Sequence, residues 1–276
     1  MSASESTTVP TSERRTAPGR VVVTGAASGI GKAVADTLHA DGCDVVGLDR
    51  VESHGDYPVL ATDLSDPDRI RETLASLTGT FTGLCNAAGV PGTAPWDVVL
   101  AVNFLGLREL SLGLTEKFEP GSSVVNIASQ AGYQIAQDTG LADRVLAESE
   151  WGAVHDRLAT DERFRADPYG FTKHFVHRAT RRWAAENIAR GTRFTSVSPG
   201  PVNTPIAGDF REHMGAERYD AAVRGAGRLG EPADIADVVT FLLSDRARWV
   251  NGIDLAVDGG LSAVRASAPA PSTNED

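Results

Sequence analysis

The sequence has little cysteine and no cluster of metal-ligating residues. Its two cysteines, Cys43 and Cys85, both lie in apolar, strand-like contexts, where we expect buried, reduced thiols. A disulfide framework is therefore not expected. The sequence has no Cys-x-x-Cys pair and no His/Cys cluster, so we expect no metal site.

The sequence also lacks an excess of positive charge and long apolar runs. Its formal net charge is −11, which argues against nucleic acid and against an anionic membrane as partners. No run reaches the roughly 18 apolar residues of a membrane span. The N-terminal segment has no hydrophobic core of a secretory signal. We therefore expect a cytoplasmic protein.

The length of 276 residues is compatible with one large α/β domain. Residues 1–18 and 265–276 are rich in Ser, Thr, Pro and charge, and they are predicted to be disordered tails around a domain at 19–264. Between them, short β-branched runs alternate with helical patterns, which predicts right-handed βαβ crossovers. The expected fold is a single Rossmann-type, doubly wound parallel sheet of about seven strands with helices on both faces. The predicted strands are 20–24, 44–48, 58–61, 81–85, 122–127, 193–198 and 252–257, and the predicted helices are 29–41, 66–77, 95–117, 169–190 and 232–243.

One segment, 130–168, interrupts this alternation of strands and helices. It is too long for a structureless loop inside a compact domain. Residues 138–149 and 150–163 have helical composition, so two short helices are predicted beside the ligand crevice. We treat 134–166 as a helical insertion.

A glycine-rich turn follows the first predicted strand and opens the first predicted helix. Gly25, Gly29 and Gly31 have the spacing G-x3-G-x-G, which differs from the G-x-G-x-x-G dinucleotide fingerprint. Such a turn lets a ligand approach the main chain, and the helix start offers free N–H groups to a pyrophosphate. Alone, it is also compatible with a structural loop. Asp49 closes the second strand 18 residues past Gly31, where an acid holds ribose hydroxyls in this fold, so a nucleotide site is predicted.

Tyr169 and Lys173 lie four residues apart on a predicted helix and therefore share a face. A nearby ammonium lowers the pKa of a phenol, so the pair can exchange a proton with an alcohol near neutral pH. A half-buried tyrosine beside a solvated lysine is the alternative. Ser129 at a strand end is equally compatible with a turn residue, and Asn103 with a buried amide that bridges backbone groups.

These residues and the glycine turn together resemble the short-chain dehydrogenase/reductase family over roughly residues 19–262. The motifs stand in family order, and no single one carries the resemblance. They are TGAASGIG at 24–31, Asp49, Asp63-Leu64, the Asn-Ala-Ala-Gly run at 86–89, Asn103, Ser129, Tyr169 with Lys173, Pro-Gly-Pro-Val-Asn-Thr at 199–204, and Asn251-Gly252 with the Asp-Gly-Gly run at 258–260.

The resemblance implies a role for each catalytic candidate. Tyr169 would be the general acid/base, and Lys173 would lower its pKa and hold the nicotinamide ribose. Ser129 would position the substrate oxygen, and Asn103 would hold a water that joins Lys173 to solvent. The implied cofactor contacts are Gly25, Ser28, Gly29, Ile30, Gly31, Asp49, Arg50, Asp63, Leu64, Asn86, Ala87, Ala88, Gly89, Tyr169, Lys173, Pro199, Gly200, Val202 and Thr204.

NAD is the predicted cofactor. Asp49 can accept hydrogen bonds from both ribose hydroxyls, and its charge repels a 2′-phosphate. The glycine turn carries Ser28 and no Arg or Lys just before Gly29. Arg50 is the counter-evidence, because it can swing onto a phosphate; a solvated side chain is its alternative.

The spacing between Ser129 and Tyr169 departs from the usual family pattern. Forty positions separate the two residues, where the family usually has a much shorter gap. This resembles the subgroup typified by 3α-hydroxysteroid dehydrogenase/carbonyl reductase, which carries a helical insertion there. Family members assemble through the helices that hold Asn103 and Tyr169, and an insertion beside the second helix would block or rebuild this interface. We expect a homodimer rather than a tetramer.

The substrate is predicted to be a hydrophobic secondary alcohol or its ketone, such as a steroid, terpenoid or other ring compound. Residues 203–228 correspond to a mobile substrate lid in this family. The lid's apolar stripe at helical spacing faces either the pocket or the core, and Trp96 is a further candidate for the pocket wall. His213, also in the lid, is read as a solvent-exposed side chain. The predicted substrate contacts are Gln130, Tyr133, Ile206, Phe210 and Met214.

Two other functions are compatible with this sequence. One is an NADPH-dependent carbonyl reductase, which a cofactor-preference assay would separate. The other is a catalytically silent NAD-binding regulatory protein. The complete set of Asn103, Ser129, Tyr169 and Lys173 argues against a silent protein, which has no need of all four.

Overall fold

The computed structural model describes residues 19–135 and 139–267. One sheet of eight strands runs through this part of the chain in the order β3-β4-β2-β1-β5-β6-β7-β8. All neighbouring strands are parallel except β3, which is antiparallel to β4. The strands are β1 (Arg20–Thr24), β2 (Asp44–Asp49), β3 (Ser53–His54), β4 (Pro58–Ala61), β5 (Phe81–Asn86), β6 (Phe118–Ile127), β7 (Arg193–Pro199) and β8 (Asp254–Val257).

Twelve α-helices are found in the described residues. They are α1 (Gly29–Ala40), α2 (Pro67–Ser76), α3 (Trp96–Leu100), α4 (Leu107–Leu114), α5 (Thr139–Ala147), α6 (Trp151–Ala159), α7 (Glu162–Ala166), α8 (Pro168–Glu186), α9 (Ala207–Met214), α10 (Ala216–Gly225), α11 (Pro232–Leu243) and α12 (Leu261–Ser267).

The central strands are apolar throughout because helices cover both faces of the sheet. On β1, Val22 points into one buried cluster, while Val21 and Val23 point into a second cluster on the other face. This follows from the two-residue period of a strand. Parallel sheets covered on both faces have such continuous hydrophobic strands, which confirms the predicted doubly wound α/β fold.

The structure differs from the predicted elements in several places, among them the helices α9, α10 and α12, which were not predicted. The sheet has eight strands rather than about seven, because the two residues of β3 are too short to give a sequence signal. The predicted C-terminal tail begins at 265, whereas α12 continues through Ser267, whose hydroxyl donates to the Ala263 carbonyl. Residues 1–18 and 268–276 of the two predicted tails lie outside the described residues.

The insertion contains three α-helices instead of the predicted two, and a 3₁₀ turn at Gln130–Ile135 leads into it. The predicted second helix is divided because Asp161 starts a new one. Its carboxylate accepts hydrogen bonds from the backbone N–H groups of Arg163 and Phe164, at 3.1 Å in both cases. Such an N-cap satisfies donors that would otherwise be free at the start of α7.

The insertion covers the outer face of α3 and α8. Val154, Leu158 and Phe164 are fully buried in the same cluster as Phe171 and Phe175 of α8. Trp96 lies under this cover, stacked on His155 at 5.0 Å between ring centroids and beneath the Arg165 guanidinium at 4.8 Å. Trp96 is therefore part of the packing of the insertion, and its place in the substrate pocket stays a prediction.

A π-helical segment, Ala101–Gly106, interrupts the long helix that was predicted without a break. Gly106, its last residue, lets the segment pack closely on the loop after β4, because a Cβ there would lie 2.3 Å from the Leu64 carbonyl oxygen. By length and composition, Trp96–Lys117 is also apolar enough to cross a membrane, but 72% of that window is buried inside the fold. Core helices of globular domains have the same composition.

Candidate active site

The loops that follow β1, β2 and β5 meet at the carboxyl edge of the sheet. The Thr24 hydroxyl accepts hydrogen bonds from the N–H groups of Ala87 (3.0 Å) and Ala88 (2.9 Å). The Gly25 N–H donates to the Leu48 carbonyl at 2.8 Å. These bonds fix the glycine turn against its neighbours and open a crevice where ligands bind in such folds.

The glycine turn needs glycine at specific positions. Gly25 and Gly29 have positive φ angles of 70° and 55°, which other residues rarely adopt. A Cβ on Gly31 would lie 2.2 Å from the Gly25 carbonyl oxygen, so the first turn of α1 packs directly on the loop. Ser28, the N-cap of α1, makes no side-chain capping bond. The helix therefore presents its first N–H groups to the crevice.

Asp49 and Asp63 line the part of the crevice beyond β2 and β4. One carboxylate oxygen of Asp49 accepts a hydrogen bond from the Ala27 N–H at 3.0 Å, so the carboxylate is held beside the glycine turn. The Ser65 hydroxyl holds the pKa of Asp63 below its usual value, and the Arg50 guanidinium adds to this effect. Arg50 is thus near Asp63, and its side chain is exposed.

The loop after β7 covers the other end of the glycine turn. A Cβ on Gly29 would lie 3.4 Å from the Thr204 methyl group, and a Cβ on Gly200 would lie 2.9 Å from the Asp258 Cα. Val202 forms an isolated bridge with Gly230. Pro199, the last residue of β7, begins this loop.

Two predicted cofactor contacts have side chains that point into the protein. The Asn86 amide donates to the Ser111 hydroxyl (2.9 Å) and to the Asn126 side-chain oxygen (2.8 Å), below the crevice. The Leu64 side chain is buried against the π-helical segment. Only the backbone of Asn86 and Leu64 can face a cofactor, because the Asn86 side chain is hydrogen-bonded inside the protein and the Leu64 side chain is packed there.

A nicotinamide dinucleotide fits this crevice. The glycine cradle leaves no room for a Cβ at Gly31, the start of α1 offers backbone N–H groups, and the Asp49 carboxylate stands where the ribose lies in this fold. The Ile30 and Gly29 backbone forms the first turn of that helix.

Tyr169, Ser129 and Lys173 come together at the inner end of the crevice. The Ser129 hydroxyl is hydrogen-bonded to the Tyr169 phenol and accepts from the Ala131 N–H at 3.2 Å. The Lys173 Nζ donates to the Ile127 carbonyl at 2.8 Å and lies 5.7 Å from the centroid of the Tyr169 ring. Asp167 caps α8 by accepting from the Gly170 N–H at 2.8 Å, which orients its first turn.

Burial has the largest effect on the pKa values of Tyr169 and Lys173 in the protein without its cofactor. It raises the pKa of Tyr169 to about 12, although the Ser129 hydroxyl acts in the opposite direction. Burial also lowers the pKa of Lys173 to about 8. The net shift of the Tyr169 pKa is therefore upward, where the sequence analysis predicts a lowering by Lys173. At neutral pH the tyrosine is a phenol, ready to donate a proton.

Asn103 fixes the loop that follows β5. Its side-chain oxygen accepts from the Val90 N–H (2.8 Å), and its amide donates to the Val90 carbonyl (2.9 Å). A Cβ on Gly89 would lie 3.3 Å from the Asn103 side-chain oxygen and 3.8 Å from the Lys173 Nζ. The structure therefore matches the buried, bridging amide, and both polar atoms of the side chain are already engaged.

Helix α9, in the segment predicted to be a lid, lies on Tyr169. The Phe210 ring meets the Tyr169 ring edge to face at 5.2 Å between centroids. Ile206 and Met214, one turn to either side of Phe210, are half-buried. His213 is 6.1 Å from the same tyrosine ring. The His213 side chain is exposed, as the sequence analysis expects, and its position three residues after Phe210 puts both on one helix face.

Gln130 and Tyr133 are directed toward β7 and β8 rather than toward the lid. The Gln130 amide donates to the Ser198 carbonyl at 3.5 Å. The Tyr133 hydroxyl donates to the Asp254 carboxylate, and its ring lies 4.6 Å from the His177 ring. The Tyr133 phenol is thus engaged by a carboxylate at the sheet edge, and its place in the substrate pocket stays a prediction.

Comparison with known proteins identifies the family of this chain. The family model described as short chain dehydrogenase matches residues 20–139, and the model described as Enoyl-(Acyl carrier protein) reductase matches residues 160–262. The chain belongs to the short-chain dehydrogenase/reductase family, and it is an oxidoreductase of that class.

Three relatives illustrate the similarity. Coniferyl-alcohol dehydrogenase of Pseudomonas sp. (strain HR199 / DSM 7063) is 34% identical, with 88% of this chain and 96% of the relative covered. The 3-alpha-hydroxysteroid dehydrogenase/carbonyl reductase of Comamonas testosteroni is 30% identical over the same shares. The structure of 3-alpha-hydroxysteroid dehydrogenase from Pseudomonas sp. B-0831 complexed with NADH has a TM-score of 0.75 and 30% identity, covering 91% of this chain and 100% of that one.

Proposed function

We propose that this protein interconverts a hydrophobic secondary alcohol and its ketone with NAD, using Tyr169 as the general acid/base. The observation that carries the proposal is the meeting of the half-buried Tyr169 phenol and Ser129 hydroxyl with the buried Lys173 ammonium beside a glycine cradle. A bound nicotinamide would supply the hydride acceptor or donor there.

Each of these side chains has its own role in the proton transfer. Tyr169 gives a proton to the substrate oxygen during reduction and takes it during oxidation. Ser129, already hydrogen-bonded to the phenol, holds that oxygen in place. Lys173 stabilises the phenolate by its charge, and Asn103 keeps the loop beside Lys173 in position through Val90.

NAD rather than NADP is proposed on the chemistry of the ribose end. The Asp49 carboxylate is held beside the glycine turn by the Ala27 N–H, where it favours two hydroxyls and repels a phosphate. Arg50, the residue that argues for NADP, is near enough to Asp63 to lower the pKa of that carboxyl.

An apolar substrate is proposed because the wall opposite Tyr169 is the lid face that carries Phe210, with the half-buried Ile206 and Met214 beside it. The relatives named above include a coniferyl-alcohol and a 3-alpha-hydroxysteroid dehydrogenase, which is consistent with a ring-bearing alcohol. We place the reaction in the cytoplasm.

The test is a cofactor and substrate assay. Purified protein is incubated with NAD or NADP and cyclic, steroidal, terpenoid and benzylic alcohols, and the absorbance of the reduced nicotinamide is followed. Tyr169→Phe should lower turnover at least ~10²-fold with NAD binding retained. Turnover with NADP alone would support the carbonyl reductase instead. Tight NAD binding without turnover of any alcohol or ketone would support the silent regulatory protein.

A homodimer is proposed through the β8 edge. The insertion covers α3 and α8 with its own apolar side chains, so this face is not available to a partner. At the β8 end of the sheet, Trp249 is 98% exposed, and Phe241, Ile253 and Leu255 are between 36% and 43% exposed. Their burial against a second copy explains this apolar surface. A stable tetramer by mass in solution, or a dimer unaffected by Trp249→Asp, would contradict this arrangement.

A further inference from the structure

A network of polar side chains joins the 3₁₀ turn after Ser129 to strands β7 and β8. Its centre is the Asp254 carboxylate, whose side chain is 4% exposed. The Ser196 hydroxyl donates to one carboxylate oxygen at 2.6 Å, and the Tyr133 hydroxyl donates to the other. A buried carboxylate is costly unless it is hydrogen-bonded. An acid in a strand whose other residues are apolar therefore indicates that these bonds are needed.

Helix α8 takes part in this network through His177. This histidine lies one turn after Lys173 and two turns after Tyr169, so the three side chains share a helix face. Its Nε2 atom is 2.9 Å from the Ser198 hydroxyl and 3.5 Å from the Asp254 carboxylate. The network thus connects the helix that carries the acid/base to the ends of β7 and β8.

The turn that begins after Ser129 packs directly on the same helix. A Cβ on Gly132 would lie 2.8 Å from the Lys173 carbonyl carbon and 2.9 Å from His177 Cε1, so the turn and the helix are in close contact. The Gly132 N–H donates to the Ser129 carbonyl at 3.1 Å. Tyr133 is the next residue, and its bond to the carboxylate ties this turn to β8.

We propose that Tyr133 and Asp254 are positioning residues, because their bond anchors the turn that orients the Ser129 hydroxyl toward the substrate oxygen. The Ser129 hydroxyl accepts from the Ala131 N–H at 3.2 Å, so its direction follows the conformation of the turn. Misplacing a catalytic group by about 1 Å can lower a rate by up to about 10²-fold. The inference rests on the proposed function, in which Ser129 holds that oxygen.

The first experiment removes the anchor and keeps the ring. Tyr133→Phe retains the aromatic contact with His177 and loses the hydroxyl that bonds Asp254. The assay uses NAD and whichever cyclic, steroidal, terpenoid or benzylic alcohol the unaltered protein oxidises fastest. We expect kcat to fall about tenfold, while KM for the alcohol and Kd for NAD change less than about twofold. The matched control is Tyr57→Phe, which removes a half-buried phenol that donates to Asp36 at 2.8 Å and should leave kcat unchanged.

A double-mutant cycle tests whether the effect passes through Ser129. Ser129→Ala removes the hydroxyl that the turn positions, and its residual rate is followed at high protein concentration. In that background Tyr133→Phe should change kcat less than about twofold, because the two changes act on one group. A general weakening of the fold would lower kcat similarly in both backgrounds.

A second cycle is independent of the residual rate of Ser129→Ala. Asp254→Leu removes the acceptor of the Tyr133 hydroxyl and should lower kcat about as much as Tyr133→Phe does. Combining the two changes should lower kcat no further, because both remove the same bond.

The outcomes separate this inference from the proposed function. If Tyr133→Phe leaves kcat unchanged, or lowers it equally with and without the Ser129 hydroxyl, the positioning role is overturned while the proposed function stands. A rise in KM alone would also overturn it and would assign Tyr133 to the substrate pocket. If the unaltered protein oxidises no alcohol of the four classes and reduces no corresponding ketone, the proposed function fails and this inference fails with it.

Discussion

Lys173→Met should increase the stability of the protein at neutral pH while it removes most of the activity. The ammonium of Lys173 is buried, and burial lowers its pKa from 10.5 to about 8. That difference corresponds to ~3 kcal/mol of unfavourable free energy for the charged form in the folded protein. Methionine has a similar shape and no charge, so this cost disappears.

The gain is partly offset by a lost hydrogen bond. Lys173 donates to the Ile127 carbonyl at 2.8 Å, and an unsatisfied buried carbonyl costs ~1–2 kcal/mol. We therefore expect Lys173→Met to be ~1–2 kcal/mol more stable at pH about 7, with turnover lowered at least ~10-fold. A group needed for the reaction would thus be retained at the expense of stability.

The pH dependence of the stability difference between the two proteins is a sharper test than the difference at one pH. Below a pH of about 8 the lysine is protonated in both the folded and the unfolded protein, so the whole cost of the buried charge is present. As the pH rises from about 8 toward 10.5, the folded protein loses this proton first, and the cost declines toward zero. The advantage of the variant should shrink by ~2 kcal/mol between pH about 7 and pH about 9.5.

The assay is urea unfolding of both proteins at these two pH values, with the absorbance assay for activity. The matched control is Lys32→Met, which removes an exposed lysine paired with Asp36 at 2.6 Å and should cost at most ~1 kcal/mol. The reasoning is wrong if Lys173→Met is less stable than the unaltered protein at pH about 7, or if its relative stability does not change with pH.

Three further predictions concern the cofactor, the loop and the acid/base. Asp49→Ala should weaken NAD binding more than NADP binding, because a carboxylate that bonds two ribose hydroxyls and repels a phosphate is lost; equal losses in calorimetry would count against that role. Asn103→Leu leaves the Val90 N–H and carbonyl unpaired and should destabilise the protein by ~2–4 kcal/mol; a loss below ~1 kcal/mol in urea unfolding would argue against the bridge. Because burial raises the pKa of Tyr169 to about 12 and oxidation uses the phenolate, kcat/KM for alcohol oxidation should rise between pH about 7 and 10, while that for ketone reduction, which uses the phenol, should stay nearly constant; a flat oxidation profile would exclude Tyr169 as the base.

Local sequence signals predicted the sheet strands well where burial is complete. The sequence was enough to predict strands β1 and β7 from their β-branched runs and the turn before α1 from its glycines. Strand period and positive φ depend on residues that are neighbours in the sequence. β3 gave no signal, since its two residues form a strand only by pairing with β4.

The sequence alone established the chemical set: a glycine cradle, an acid after β2, and a tyrosine and lysine on one helix face. Only the tertiary structure decided which side chains point into the crevice. Asn86 turned into the core and Tyr133 toward Asp254, since each found a buried polar partner there. Likewise, the contact of His213 with Gly92 and Tyr169 joins three distant segments of chain. Packing and desolvation act between such segments and also set the pKa values of Tyr169 and Lys173, which no local pattern in the sequence encodes.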